Sequence, residues 1–191
     1  MTEQVHQPTF SLRFFLPKYW LIWFGLGVLY IITLLPLPVL RFLAHGNAWL
    51  LKTLVKKRVK IAQQNIALCF PDMPVAEQQA LLKKHLVTAG MGLFETAIGW
   101  WWPDWRLRRI LQVEGAEHIA AIQAQGKGVL ALGIHNVNIE TGCRNLGLFR
   151  KSVAFYRPHN NPLMDYIQFR GRARSNEFLI DKRSSRALLH A

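Results

Sequence analysis

The chain has 191 residues, 51% of them hydrophobic and 12% aromatic, with seven Trp. That suffices for one domain with a real core, or for a membrane segment plus a smaller domain, and a mean hydropathy of +0.10 points to a local concentration of apolar residues. The net charge of +13 favours anionic partners such as nucleic acid, anionic lipid or an acidic protein, and two cysteines without metal-ligand spacing read as reduced thiols on a cytosol-facing protein.

Residues 20–40, "WLIWFGLGVLYIITLLPLPVL", carry no charge. As a helix they would extend about 30 Å, the thickness of a bilayer core, which predicts a transmembrane anchor after an N-terminal segment, 1–19. Pro36 and Pro38 are expected to end or bend it near Leu35. Arg41, Lys52, Lys56, Lys57, Arg58 and Lys60 follow it, against Arg13 and Lys18 before it. That excess puts the remainder on the cytoplasmic side of a single-pass protein. A helix that enters the bilayer without crossing is the alternative.

Residues 41–110 read as a helical, basic, membrane-surface region. Asn47 to Cys69 has the pattern of a basic amphipathic helix, which suits an anionic membrane surface as well as a core-packed helix with a solvated charged face. "PDMP" at 71–74 is a turn, and a long helix is predicted from Val75 to Trp101, with Glu77 in its first turn. "GWWWPDW" at 99–105 fits a core, a membrane-dipping surface or the wall of an acyl pocket; core is the default.

From Leu111 the pattern alternates. Strands are predicted at 111–113, 128–134, 152–156 and 177–180. Helices are predicted at 117–125, 139–148 and 162–174, with another from Ser184. This is an α/β arrangement with a mostly parallel sheet and flanking helices over 111–191. A strand–helix series of this kind should close with further strands, so the sheet is expected to be incomplete.

An open α/β sheet places its sites at the carboxyl ends of its strands. "GVLALGIHNVNIE" puts His135 at such an end and Glu140 one turn into the next helix. A carboxylate there can reach back to the ring, fix its tautomer and stabilise the imidazolium. The other ring nitrogen is then free to take a proton from a hydroxyl. Spacing alone is weak support. The chain has no G-x-S-x-G, no H-E-x-x-H and no phosphate-binding glycine loop, which leaves direct transfer onto a hydroxyl as the chemistry that fits. Arg157 follows a strand and reads as a ligand contact. Arg170, Arg172 and Arg174 cluster at a helix end, where they suit either phosphate recognition or the helix dipole.

These stretches together carry a resemblance. "YW" at 19–20, "KIAQQNIALCFPDM", "GMGLFETAIGWWWPD", "GVLALGIHNVNIE", "YRPHNNPLMDYIQFRGRARSN" and "LIDKR" occur in order over nearly the whole chain. The sequence resembles the late acyltransferases of lipid A biosynthesis, the lauroyl and palmitoleoyl transferases of Gram-negative inner membranes. The family's His-x4-Asp/Glu motif falls on His135 and Glu140. The resemblance implies a glycerolipid-acyltransferase-like fold and an enzyme that moves a fatty acyl group from acyl carrier protein. The acceptor would be a hydroxyl of a 3-hydroxyacyl chain on a Kdo-bearing lipid A precursor. It implies His135 as the base, Glu140 as its orienting acid, and Arg157 with the following arginines against phosphate or the developing oxyanion. The implied partners are acyl carrier protein, the lipid precursor and the inner membrane, without nucleic acid and without a metal or redox cofactor.

Asn136 stands where the family usually has an apolar aromatic residue. The chain ends before the family's usual C-terminus, so a truncated, inactive form is kept beside the active one. Two alternatives remain open: a membrane-anchored basic protein that binds lipid or nucleic acid without catalysis, and an acyltransferase acting on glycerol phosphate.

Overall fold

The computed structural model describes residues 7–181. Two short 3-10 turns, Leu12–Phe15 and Pro17–Tyr19, lead into helix α1, Trp20–Thr33. Helices α2 (Leu37–Leu54), α3 (Lys56–Cys69), α4 (Val75–Trp101), α5 (Asp104–Leu107), α6 (Ala116–Ala124) and α7 (Ile139–Phe149) follow. Strand β1 (Ser152–Tyr156), helix α8 (Pro162–Arg172) and strand β2 (Asn176–Asp181) complete the described chain. It is a mostly helical α/β protein with a small parallel sheet. By contacts the described chain divides into two compact units, 27–97 and a second formed by 7–26 with 98–181.

The transmembrane anchor predicted over 20–40 is corrected, while the break expected at Pro36 and Pro38 is present. α1 stops at Thr33, whose hydroxyl donates to the Tyr30 carbonyl at 2.7 Å. Pro36 then takes an extended conformation ahead of α2, with Pro38 in the first turn of that helix. A proline cannot donate to the preceding turn and its ring disfavours the α region for the residue before it. The same residue is well suited to a helix start. The 14 residues of α1 extend about 21 Å, short of the roughly 30 Å that a bilayer core requires. Among the described residues no helix is long and apolar enough to cross a membrane.

In the unit 27–97, the expected basic helix is two helices broken at Val55 (φ −114°, ψ 44°). Val59, Ala62 and Ile66 of α3 pack with Ala48 of α2 and Leu82 and Leu86 of α4. The apolar face of α3 therefore meets a core, while Lys56, Lys57, Arg58 and Lys60 are exposed. Close approach of α2 and α4 depends on Gly90: a β-carbon there would lie 2.5 Å from the Ala44 carbonyl oxygen and 3.0 Å from the Ala48 nitrogen. Asn47 Nδ2 donates to the Gly90 carbonyl across this contact at 3.0 Å.

In the other unit, β1 and β2 pair in parallel, from Val153 opposite Phe178 to Tyr156 opposite Asp181, with an irregularity after Ser152. α8 is the crossover between them, as a parallel pair requires. Its start is built by "HNNP". Asn161 Oδ1 accepts from the backbone N–H of Leu163 and Met164 at 3.0 and 3.2 Å, and Pro162 occupies the first turn. The Asp165 carboxylate accepts from the His159 N–H at 2.8 Å. Leu163, fully buried, packs with Phe14 and Tyr19.

Two predicted strands are absent. Residues 111–113 and 128–134 form no strand among the described residues. The stretch 128–134 is irregular and its apolar side chains are open: Leu130 and Leu132 are fully exposed and Ile134 is 86% exposed. A run of small and β-branched residues has strand propensity but becomes a strand only when a neighbour satisfies its backbone groups. The described sheet has two strands, β1 and β2, and neither pairs with this segment. The helix expected from Ser184 lies outside the described residues.

Candidate active site

α7 begins after Asn138, with Glu140 in its first turn as its sequence position predicts. Glu140 is held from two sides. Trp100 Nε1 donates to Oε2 at 2.9 Å, and Arg172 Nε donates to Oε1 and Oε2 at 3.0 and 3.3 Å, with Arg172 Nη2 closing the fork on Oε1. The side chains are 11% and 29% exposed, so the ion pair is largely shielded from water. The Trp100 ring sits tightly over Gly171: a β-carbon there would lie 2.6 Å from the ring Cδ1. Only glycine permits α8 to come this close while Arg172, the next residue, reaches the carboxylate.

A second ion pair lies beside the first. Arg144, its side chain 4% exposed, bonds to Asp104 through Nη2, and its Nη1 donates to the Arg174 carbonyl at 3.3 Å. Arg174 Nη1 donates to the Trp100 carbonyl at 2.8 Å, and its Nη2 is 3.6 Å from Asp104. Burial pushes the Arg174 guanidinium below its usual pKa, the neighbouring Arg144 charge adds to this, and Asp104 opposes it. Packing around the Cys143 sulfur raises the thiol pKa, the Glu140 carboxylate raises it further, and Arg172 pulls it back.

His135 lies in the irregular segment ahead of α7 and is exposed. Among the described residues the hydrogen bonds to Glu140 come from Trp100 and Arg172, not from the His135 ring. Arg157 follows β1 as expected and is exposed, its carbonyl accepting from Gln168 Nε2 at 3.5 Å. The three clustered arginines separate by role. Arg172 serves Glu140 and Arg174 the Trp100–Asp104 corner. Arg170 is exposed and lines a cavity of about 440 Å³ with Trp100, Trp101, Ile167, Gly171, Ala173 and Arg174. Trp100 and Trp102 are buried, with the Arg106 guanidinium 3.7 Å above the Trp102 ring, whereas Trp105 is 59% exposed.

The sequence offered 99–105, with Trp100 and Asp104, as a core or a pocket wall but gave neither residue a part beside Glu140 or Arg174, and it did not single out Arg144. Glu140 and Arg144 are four apart on α7, a spacing that suggests mutual pairing. Each pairs instead with a residue from elsewhere in the chain. No group of His, Cys, Asp and Glu among the described residues could hold a metal ion.

Comparison with known proteins gives a consistent result. The chain is 41% identical over 184 residues to the lipid A biosynthesis lauroyltransferase of Escherichia coli K12, covering 96% of this chain and 60% of that protein. It is 41% identical over 185 residues to the palmitoleoyltransferase of the same organism, covering 97% and 60%. A lipid A biosynthesis acyltransferase of Haemophilus influenzae is 38% identical over 186 residues, covering 96% and 59%. The chain thus spans about 60% of the length of the curated relatives it matches. No solved structure matches it. The family model for bacterial lipid A biosynthesis acyltransferase matches residues 7–191, and the chain belongs to that family.

Proposed function

We propose that the protein transfers a fatty acyl group from acyl carrier protein to a hydroxyl on the 3-hydroxyacyl chain of a Kdo-bearing lipid A precursor, at the cytoplasmic face of a bacterial inner membrane. The observation that carries this reading is the family match over residues 7–191, which includes an exposed His135 ahead of α7 and a firmly held carboxylate in its first turn. Exposure gives a bulky lipid hydroxyl access to the imidazole.

In the proposed step a ring nitrogen of His135 takes the hydroxyl proton, and the oxygen attacks the thioester carbonyl. The carrier's thiol leaves with the proton returned by the imidazolium. Glu140 is the charge that steadies the imidazolium. Its carboxylate is fixed by Arg172 and Trp100, so the movement falls to the irregular segment 128–136, which folds onto the α7 start when substrates bind. Arg157 and Arg170, both exposed, meet phosphate groups of the precursor. The net charge of +13 favours encounter with an acidic carrier protein and an anionic glycolipid. The proposed chemistry calls on no metal or redox cofactor.

The test offers labelled acyl carrier protein and three acceptors to membranes containing the chain: the Kdo-bearing precursor, glycerol phosphate and none. Label should appear in the precursor alone. Label in glycerol phosphate would replace this reading with the glycerol-phosphate one. No transfer, together with steeply salt-dependent binding of DNA, would favour the non-catalytic basic protein.

A further inference from the structure

The two oxygens of Glu140 are not equally occupied. A carboxylate offers about four lone-pair positions. Oε1 accepts from Arg172 Nε at 3.0 Å and from Arg172 Nη2. Oε2 accepts from Trp100 Nε1 at 2.9 Å, and takes only the longer branch of the shared Arg172 Nε hydrogen, at 3.3 Å. An arginine that grips a carboxylate alone settles into a fork with one nitrogen on each oxygen. Here the fork is skewed toward Oε1, and the indole holds the other oxygen. Among the described residues, Oε2 is therefore the oxygen with an acceptor position left over, and the Glu140 side chain keeps 11% of its surface open.

Trp100 is built as a rigid donor. It lies in the last turn of α4, and Gly99 before it lets that turn rest on the Glu140 backbone. A β-carbon at Gly99 would lie 2.9 Å from the Glu140 carbonyl carbon and 3.2 Å from its Cβ. This close approach brings the indole to the carboxylate. The ring is then fixed from other sides. It packs over Gly171, the Trp101 ring meets it edge-on at 6.4 Å, and the Trp100 carbonyl accepts from Arg174 Nη1 at 2.8 Å. The side chain is buried, and the N–H is its one polar group, so the hydrogen bond has a single direction.

We propose that Trp100 is a positioning residue for the acyl transfer. Its indole N–H keeps Glu140 turned so that Oε2 is the oxygen that receives the His135 ring N–H when 128–136 folds onto the α7 start. The role rests on the transfer reading given above. Arg172 and Trp100 then do different work on one carboxylate. Arg172 balances its charge, and Trp100 sets its rotation. Without the indole, the Arg172 fork is free to become symmetric and to draw Oε2 away from the side that the imidazole approaches.

Two replacements at position 100 separate the N–H from the ring. Benzothienylalanine keeps both rings and puts sulfur in place of the N–H; Trp100→Phe removes the N–H and part of the ring. Both full chains are compared with the parent in transfer of a labelled acyl group from acyl carrier protein to the Kdo-bearing precursor. Turnover and KM are determined separately, and melting is followed alongside. Both variants should lose on the order of tenfold in kcat, which is what one hydrogen bond to a charged group carries. The benzothienyl variant keeps the cavity wall that Trp100 helps to form, so its KM should stay within about twofold of the parent. If Trp100→Phe misfolds, the benzothienyl variant decides alone. Parental kcat in that variant would mean that the ring serves only as packing, and would overturn the proposal while the transfer reading stood. A loss confined to KM would place the tryptophan in substrate binding and overturn it as well. A parent chain that labels no acceptor would overturn the transfer reading itself, and the positioning role with it.

Discussion

Replacing Arg172 by Met should destabilise the unit 7–26/98–181 by removing the main partner of a shielded carboxylate. Glu140 would keep one donor, Trp100 Nε1 at 2.9 Å, and lose the guanidinium fork on both oxygens. Removing one member of a fully buried ion pair costs about 3–5 kcal/mol, because the remaining charge stays desolvated. Here the Arg172 side chain is 29% exposed and that of Glu140 11%, so water reaches part of the pair and a loss of about 2–3 kcal/mol is expected. For a chain of this length that corresponds to a melting temperature lower by roughly 5–10 °C. Urea denaturation followed by tryptophan fluorescence measures it, with Trp100 reporting from the site itself. Arg170→Met is the control, as an exposed residue two positions away, and should change stability by no more than about 0.5 kcal/mol. If the two variants lose the same amount, the Glu140–Arg172 pair does not hold the site together and the energetic argument fails.

Other substitutions test the packing and the electrostatics. Gly171→Ala should cost about 1–3 kcal/mol, because the new methyl meets the Trp100 ring, and the loss should shrink when Trp100 is also reduced to Leu in a double-mutant cycle. Asn161→Ala should cost about 1 kcal/mol through loss of the α8 cap, while Asn161→Asp should retain most of the stability. Gly90→Val should weaken the α2–α4 contact by a few kcal/mol, read as earlier proteolysis within 27–97. Cys143 is exposed as a residue, yet its thiol pKa is raised. Less thiolate is then present at pH 8, so its alkylation should be slower than that of a small free thiol such as N-acetylcysteine and should gain on it as the pH climbs. Arg172→Met should slow it further, because the cation that lowers the pKa is gone; an unchanged or faster rate would contradict this.

The sequence was most legible where local signals agreed with tertiary demands. β1 and α4 fall where their patterns place them, and α8 begins at Pro162 because Asn161 and Pro162 together specify a helix start. The hydropathy of 20–40 was legible, and so was the break at its two prolines, expected near Leu35, two residues beyond where α1 stops; the apolar run misled only in suggesting a helix long enough to cross a bilayer. The apolar run 128–134 read as a buried strand because its residues suit one. Among the described residues no strand pairs with it, and burial is a property of the neighbours rather than of the run. At the site, the sequence places His135 and Glu140 near one helix start. It could not show that Glu140 is engaged by Arg172, 32 positions away, and by Trp100, 40 positions away. Long-range partners of that kind leave no local spacing to read.

The most direct test of the proposed function compares the chain with its His135→Ala and His135→Gln variants in transfer of a labelled acyl group from acyl carrier protein to the Kdo-bearing precursor. Membrane binding and melting temperature are checked alongside. Both variants should bind membranes and melt like the parent, because His135 is exposed and contributes nothing to the core. Both should lose at least a hundredfold in turnover, the low end of what a positioned general base supplies. Turnover within a few-fold of the parent in either variant would contradict the assignment of the base and the mechanism built on it.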